Sequence, residues 1–323
     1  MISEHSTIFK TDGTAQALPS DNAVFLTEGQ CCLWQNLDYT RPETYQILVA
    51  DYKIDPTIAN ALCDEDARPR LLSEENGCAM ILRSINCEKD EDPEDMVSLR
   101  IWADSQKIIT LSAKKVAAVE EVYQSLLQGK GPKSTAACLL AVADRLSVQI
   151  EEQVGQIGDK TDDLEEEVID VENLKDFSLR SKISALRREI ISIRRYTAPQ
   201  KELFQMLQNS KNPFFSAKNR SQFREIYNRM TKILEDLDYA KDHLAVFHEE
   251  LQSKMSISMN RIMYMISIVT VIFMPLGLIT GLLGINVAGI PYADSPLAFW
   301  GVCLFLGVLV SLLVMIMRRL NWL

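Results

Sequence analysis

The stretch Ile262–Asn286, IMYMISIVTVIFMPLGLITGLLGIN, decides the architecture, because its twenty-five residues hold no charged side chain. About 20 apolar residues suffice to cross a bilayer as a helix. A second uncharged run, Ser295–Met317, follows after the short polar stretch Asn286–Pro296. The chain is therefore expected to span a membrane twice at its C-terminal end, with a tight loop between the spans. Lys254 and Arg261 precede the first span, Arg318 and Arg319 follow the second, and the loop holds no Lys or Arg. Excess positive charge stays on the cytoplasmic side, so both termini are expected in the cytoplasm and the loop outside an inner (plasma) membrane.

Outward from that stretch the composition changes solvent. The 323 residues carry a net charge of −10, yet from Ile262 onward the only ionisable Asp, Glu, Lys or Arg side chains are Asp294, Arg318 and Arg319. Residues 1–261 thus hold 32 basic and 43 acidic groups, an acidic, water-soluble body that argues against nucleic acid as a partner. Seven cysteines, Cys31, Cys32, Cys63, Cys78, Cys87, Cys138 and Cys303, are scattered without a CxxC pair, as in a reducing compartment. The N-terminal MISEHSTIFK lacks the basic and apolar regions of a cleavable signal.

Residues 1–130 read as an α/β cytoplasmic domain. Strand-like runs fall at 31–37, 78–85, 96–102 and 107–111, with the acidic turn 88–93 among the connections. Helical patterns fit 43–50 and 114–127, the second closed by Gly129 and Gly131. No phosphate loop, nucleophile elbow or metal-ligand cluster occurs, so the chain reads as a non-enzyme without a bound cofactor.

Residues 131–260 read as a helical stalk. Within 151–176 there are 11 acidic side chains against Lys160 and Lys175, whereas 179–195 carry six basic ones against Glu189. Folded as an antiparallel hairpin, the two helices would pair these charges. Two readings remain: mutually compensating solvated faces, or surplus acid that concentrates cations near an ion path. A third helix follows Pro213, with no Pro or Gly before Pro275. Its apolar stripe runs Phe223, Ile226, Met230, Ile233, Leu237, Ala240, Leu244, Phe247, Leu251 and Met255, a coiled-coil spacing. It continues into the membrane segment, and sixty residues of helix would reach about 90 Å.

The first span, 262–285, is more than an anchor. Steps of three and four residues pick out Asn260, Met263, Ser267, Thr270, Met274, Gly277, Gly281 and Gly284. Small residues let neighbouring helices approach closely; a pore lining that ends at Asn286 accounts equally for the glycines and better for the hydroxyls. Two helices cannot enclose a path, so a pore requires several copies around an axis.

At this point the residues resemble the CorA metal-transporter superfamily. The resemblance rests on Phe-Met-Pro-Leu (273–276), Gly-Leu-Leu-Gly-Ile-Asn (281–286) and the basic, Trp-containing tail 318–323. It extends along essentially the whole chain: an α+β cytoplasmic domain, long stalk helices and two C-terminal transmembrane helices, a CorA-like funnel. Leu283 and Ile285 stand where the magnesium branch usually has Tyr and Met, and the loop 287–296 reads VAGIPYADSP. Those departures resemble the ZntB branch, associated with zinc. The resemblance implies a homopentamer in the bilayer, a pore lined by the first span, an outer ring at Gly284-Ile285-Asn286 and an inner constriction at Asn260, Met263 and Ile266. It also implies a membrane domain over 261–323, its second span at 297–317.

An Asn ring offers carbonyl oxygens to a hydrated ion without stripping its water. The lining has no Cys, His or carboxylate, the ligands zinc takes directly, so the residues alone indicate a hydrated divalent cation and zinc rests on the resemblance. Zn²⁺ is the leading cargo, with Mg²⁺, Co²⁺, Cd²⁺ and Ni²⁺ as others. Asp294 either draws cations to the outer mouth or is an ordinary loop residue. His243 and His248 lie five residues apart, about 140° round a helix; an inter-subunit metal site and solvated stalk histidines are the two readings. Proton-coupled uptake is the expected mode, against zinc efflux, a CorA-type magnesium or cobalt channel, and a membrane-anchored coiled-coil sensor.

Overall fold

The computed structural model describes residues 6–10, 15–18, 31–74, 77–86, 95–170, 177–285, 295 and 297–320. The chain divides into two compact units, one reaching Val171 and resuming over Lys175–His248, the other containing Glu249–Leu323.

The first unit is built on a seven-stranded sheet. Its strands are β1 (Ser6–Lys10), β2 (Ala15–Leu18), β3 (Cys31–Leu37), β4 (Arg70–Ser73), β5 (Gly77–Ser84), β6 (Val97–Asp104) and β7 (Lys107–Ser112). They lie in the order β2-β1-β3-β7-β6-β5-β4, with β3–β7 as the parallel pair and the other pairs antiparallel. β5, β6 and β7 are buried almost throughout, which requires cover on both faces. Strand register assigns the two faces. Leu37, Ala79, Trp102, Ile109 and Leu111 pack with Leu48, Ile54, Ala59 and Leu62. Of these last, Leu48 lies in the π-helical turn Ile47–Asp51 that continues α1 (Pro42–Gln46), Ile54 in the connection after it, and Ala59 and Leu62 in α2 (Pro56–Cys63). The opposite face meets α3 (Ala117–Leu127) and α4 (Thr135–Asp170), where Trp34 sets its ring edge-on to Tyr123 and donates to Thr110 Oγ1 at 3.0 Å.

The strand-like runs of the sequence correspond to β3, β5, β6 and β7. β4 and α2 were not foreseen, being too short for a clear period, and neither were β1 and β2. The acidic turn 88–93 lies outside the described residues. α3 ends as expected at Gly129, whose φ of +71° suits a residue without Cβ. Its N–H reaches Leu126 O and that of Lys130 reaches Ser125 O, both at 2.9 Å, a Schellman closure.

α4 and α5 (Phe177–Gln208) run antiparallel, since Lys160 pairs with Glu189 and Lys182 with Glu167. The minority charge of each helix is used as much as the majority. Much of the remaining compensation falls on α6 (Ala217–Leu283): Arg194 binds Asp238 with two bonds, of 2.8 and 3.1 Å. Arg229 takes Asp144 and Glu151, and Lys232 takes Glu151. Beneath these pairs the apolar stripe of α6 is buried from Phe223 to Leu251, whereas Met255 is half-exposed. Phe204 and Phe215 pack on Phe223 with centroids at 6.4 and 5.3 Å.

Two amide side chains fasten the helices to the sheet. Gln200 on α5 accepts the N–H of Arg83 at 3.0 Å, beyond the end of β4's pairing. Asn212 donates to Glu74 O and Gly77 O at 2.7 and 2.9 Å, closing the β4–β5 connection. Gly77 itself lies so close to Ala103 O that an added Cβ would stand 2.4 Å from it.

The second unit consists of the C-terminal part of α6 and of α7 (Ala298–Arg319). Both helices are long and apolar enough to cross a membrane, and their apolar windows have no residue buried inside the chain.

Candidate functional site

α6 remains helical through Pro275 and ends at Leu283. Pro275 has no N–H to give Val271, and a helix tolerates this in a membrane where neighbouring groups re-satisfy the backbone. The end is closed by Gly284, whose N–H lies 2.9 Å from Thr280 O and 3.2 Å from Gly281 O.

Within the second unit the two faces of α6 differ. Half-buried positions are Ile268, Ile272, Pro275, Leu276 and Ile279. Ile279 and Leu282 line an apolar groove of about 560 Å³ with Ala298, Val302 and Phe305 of α7. At 100° per residue, the stripe from Asn260 to Gly284 lies about 180° round the helix from that face. Asn260, Met263, Ile266, Thr270, Met274, Gly277, Gly281, Gly284 and Ile285 are all exposed, Met274 by 72%. Exposure alone does not single them out, since Phe273 and Leu278 on other faces are equally bare. What distinguishes the stripe is its content of small, hydroxyl and thioether groups.

The glycines test the packing reading directly. Among the described residues, a Cβ built on Gly277 or Gly281 would meet no atom within 4 Å beyond the helix's own neighbouring backbone. Close approach of α7 therefore does not account for them. The hydroxyls are already served by their own helix: Ser267 donates to Met263 O at 2.9 Å and Thr270 to Ile266 O at 2.8 Å. They present oxygen lone pairs outward with no donor hydrogen to spare. Thr280, which sequence reading passed over, does the same to Leu276 O at 2.9 Å.

Asn286 and Asp294, the expected outer ring and mouth, lie outside the described residues, as do loop residues 287–293 and tail residues 321–323. His243 sits between aromatic rings, 4.0 Å from Tyr239 and 6.0 Å from Phe247 between centroids. Among the described residues no group of three or more His, Cys, Asp or Glu side chains is placed to hold a metal. Cys303 is exposed on α7.

This architecture, an α/β unit with long helices and two late apolar spans, is that of a CorA-type membrane transporter. Residues 29–319 match the family described as "CorA-like Mg2+ transporter protein", and the chain belongs to that family. It is a membrane protein with two C-terminal transmembrane helices, a transporter of divalent metal cations and not an enzyme.

The chain is 34% identical over 292 residues to the divalent cation transporter CmaX of Pseudomonas aeruginosa, covering 90% of this chain and 87% of that protein. It is 30% identical to the zinc transport protein ZntB of Pectobacterium carotovorum, covering 98% and 95%. The solved full-length CmaX structure superposes with a TM-score of 0.86 at 32% identity, over 98% of this chain and 97% of that one. The CorA magnesium transporter of Methanocaldococcus jannaschii matches over the whole of both chains with a TM-score of 0.83; at 20% identity this is a likeness of fold.

Proposed function

We propose that this chain carries zinc across the inner membrane through a homopentameric pore lined by the Asn260–Gly284 stripe of α6. The carrying observation is that the stripe faces away from α7 and that, among the described residues, none beyond the helix's own neighbouring backbone stands within 4 Å of a Cβ built on Gly277 or Gly281. A bare small-residue face in a membrane helix needs either another chain or water beside it. Five such faces around an axis supply both, with Gly284-Ile285-Asn286 at the outer end and Asn260, Met263 and Ile266 at the inner. In this reading residues 1–130 form the cytoplasmic domain, 131–260 the stalk and 261–323 the membrane domain.

The cargo passes hydrated, because the lining offers amide, hydroxyl and thioether groups rather than thiolate, imidazole or carboxylate. Zinc is supported by the Gly-Ile-Asn and Gly-Ile-Pro sequence and by the ZntB relatives. The chain has no nucleotide-binding motif, so the driving force is an ion gradient or the membrane potential, worth roughly 2.3 kcal/mol per charge per 100 mV. That favours uptake, which we assign as proton-coupled. A second reading, a channel passing Mg²⁺ and Co²⁺ as well, is favoured by the family description, which names Mg²⁺, and by a relative named for divalent cations in general.

Flux of Zn²⁺ and Mg²⁺ into liposomes containing the purified protein, with and without a pH gradient, tests these assignments. Zinc entry accelerated by an inward proton gradient and abolished in Asn286→Ala is the expected result. Unchanged zinc flux in Asn286→Ala overturns the pore, and insensitivity to the gradient removes the proton. Magnesium flux equal to that of zinc establishes the second reading. Cross-linking that yields only monomers defeats both.

A further inference from the structure

Strand register sets two carboxylates on either side of a glycine. Glu74, just past β4, gives its N–H to Gly77 O at 3.2 Å, and Gly77 pairs with Asp104 at the end of β6. Gly77 puts no side chain between them, and the Ala103 carbonyl leaves no room for one. Trp102, two residues before Asp104, lies on the same sheet face, the face that α2 covers. Asp55, which caps α2, is a third carboxylate acting on Glu74. Beside them the Trp102 indole Nε1 is buried and makes no full hydrogen bond, with Glu74 as the acceptor it acts on.

The three carboxylates are not equivalent. Asp55 Oδ1 accepts the Thr57 N–H at 2.7 Å, and Thr57 holds that carboxyl below the ordinary range. Asp104 Oδ1 accepts the N–H groups of Gln106 and Lys107, both at 2.7 Å. Both are pinned as acceptors by backbone that does not move with pH. Glu74 is half-buried: burial lifts its carboxyl above the ordinary range, the Trp102 N–H works against that, and Asp55 and Asp104 add to the lift. Among the described residues these two are the charged groups that act on it. From β5, Cys78 stays a neutral thiol, pushed up to about 12 by burial and by Glu74, and the α5–α6 connection brings the uncharged Asn212. Where like charges crowd together, the least solvated of them takes the proton.

We infer that Glu74 is a two-position proton latch: protonated, it donates to Asp104 across Gly77, and ionised, it turns to the Trp102 indole N–H. The latch has a lever. Asn212 Nδ2 donates to Glu74 O and Gly77 O, and Asn212 O accepts the Phe215 N–H at 3.1 Å. Phe215 in turn packs on Phe223 of α6. The charge on Glu74 therefore bears on the residues that seat the start of α6. Protonation removes the repulsion across Gly77 and firms the β4–β5 connection that Asn212 holds; ionisation loosens it. What the membrane helices carry does not enter.

The test follows the tryptophan emission of the full-length protein in detergent as pH is lowered from about 8 to about 4.5. A transition is expected with its midpoint above the ordinary glutamate value, near 4.3. It should vanish in Glu74→Gln and in Trp102→Phe. In Asp104→Asn, which removes a like charge and keeps the Oδ1 acceptor, it should move down by about half a pH unit or more. A carboxyl raised in the folded state contributes stability that is lost as pH rises through its folded value. Glu74→Gln should therefore melt above wild type at neutral pH, and the gap should close in acid. Amide exchange, corrected for its intrinsic rate, should slow over 70–84 and 210–216 as Glu74 gains its proton, and Asn212→Ala should abolish the response of the second segment. Emission that is flat in the wild type, a transition retained in Glu74→Gln, or a midpoint unmoved in Asp104→Asn would overturn the latch.

Discussion

One helix, α6, lives in two surroundings, and the contrast separates what holds this protein together from what it works with. From Phe223 to Leu251 its apolar stripe is buried in its own chain, flanked by ion pairs to α4 and α5. From Met263 to Leu283 equally apolar residues are bare or only half-buried, and the least apolar face is the one turned from α7. The first half is explained by hydrophobic burial within one chain. Among the described residues the second half meets its own chain only along α7, and the rest of its surface is left to lipid and, in the proposed function, to further copies of the protein.

The largest effect should come from filling the bare face. Gly281→Leu adds bulk where, among the described residues, a Cβ meets nothing within 4 Å beyond the helix's own backbone, so the single chain has room for it. Liposome zinc flux is expected to fall by about 100-fold, roughly 2.8 kcal/mol at 1.4 kcal/mol per decade, while expression and helix content persist. Wild-type flux in that variant would break the assignment of the two halves.

Next, the two halves should differ in stability. Phe223→Ala, at a fully buried position, should cost about 3–5 kcal/mol in denaturant unfolding of the full chain. Met274→Ala, at a bare position, should leave the unfolding of the first unit unchanged. Equal losses would show that the membrane half is packed as tightly as the stalk. A smaller loss is expected at the fastening of helices to sheet: Asn212→Ala leaves two carbonyls without their donor, at about 1–3 kcal/mol, read as a shift in denaturant midpoint.

The smallest effect belongs to the flanking charges. Arg194 hydrogen-bonds Asp238 and holds its carboxyl below the ordinary range. A depressed folded pKa contributes stability above the unfolded value, near 3.9, and that contribution is lost as pH falls through the folded value. The pair is about 40% exposed on each side, so screening limits Asp238→Asn to roughly 0.2–1 kcal/mol. The difference between variant and wild type should fade as pH falls below the unfolded value and through the lowered folded one; a difference that persists in strong acid would assign the loss to packing.

The membrane half was the more legible in the sequence. Charge-free length, flanking arginines and the Phe-Met-Pro and Gly-x-Asn strings are local signals, and the stalk stripe is nearly as plain. The α/β unit was legible only in part. β3, β5, β6 and β7 carry enough β-branched and aliphatic residues to stand out, whereas β4 is a strand only because β5 pairs with it. The antiparallel charge hairpin was anticipated, yet the assignment of Arg194 to Asp238 and Arg229 to Asp144 and Glu151 was not. Three candidate acceptors on different turns are equivalent until the third helix is in place.

By itself the sequence determined the two spans and the long amphipathic stalk, because a bilayer offers no partner for a bare peptide group and sufficient apolar length then dictates a helix. It also determined the polar stripe, since helical period alone arranges side chains into faces. Only the tertiary structure decided that α7 covers the opposite face, that among the described residues nothing crowds Gly277 and Gly281, and that Gln200 of α5 accepts the N–H of Arg83 in the sheet. Those facts depend on strand register and helix docking between residues as many as 117 positions apart, distances over which composition and period carry no information.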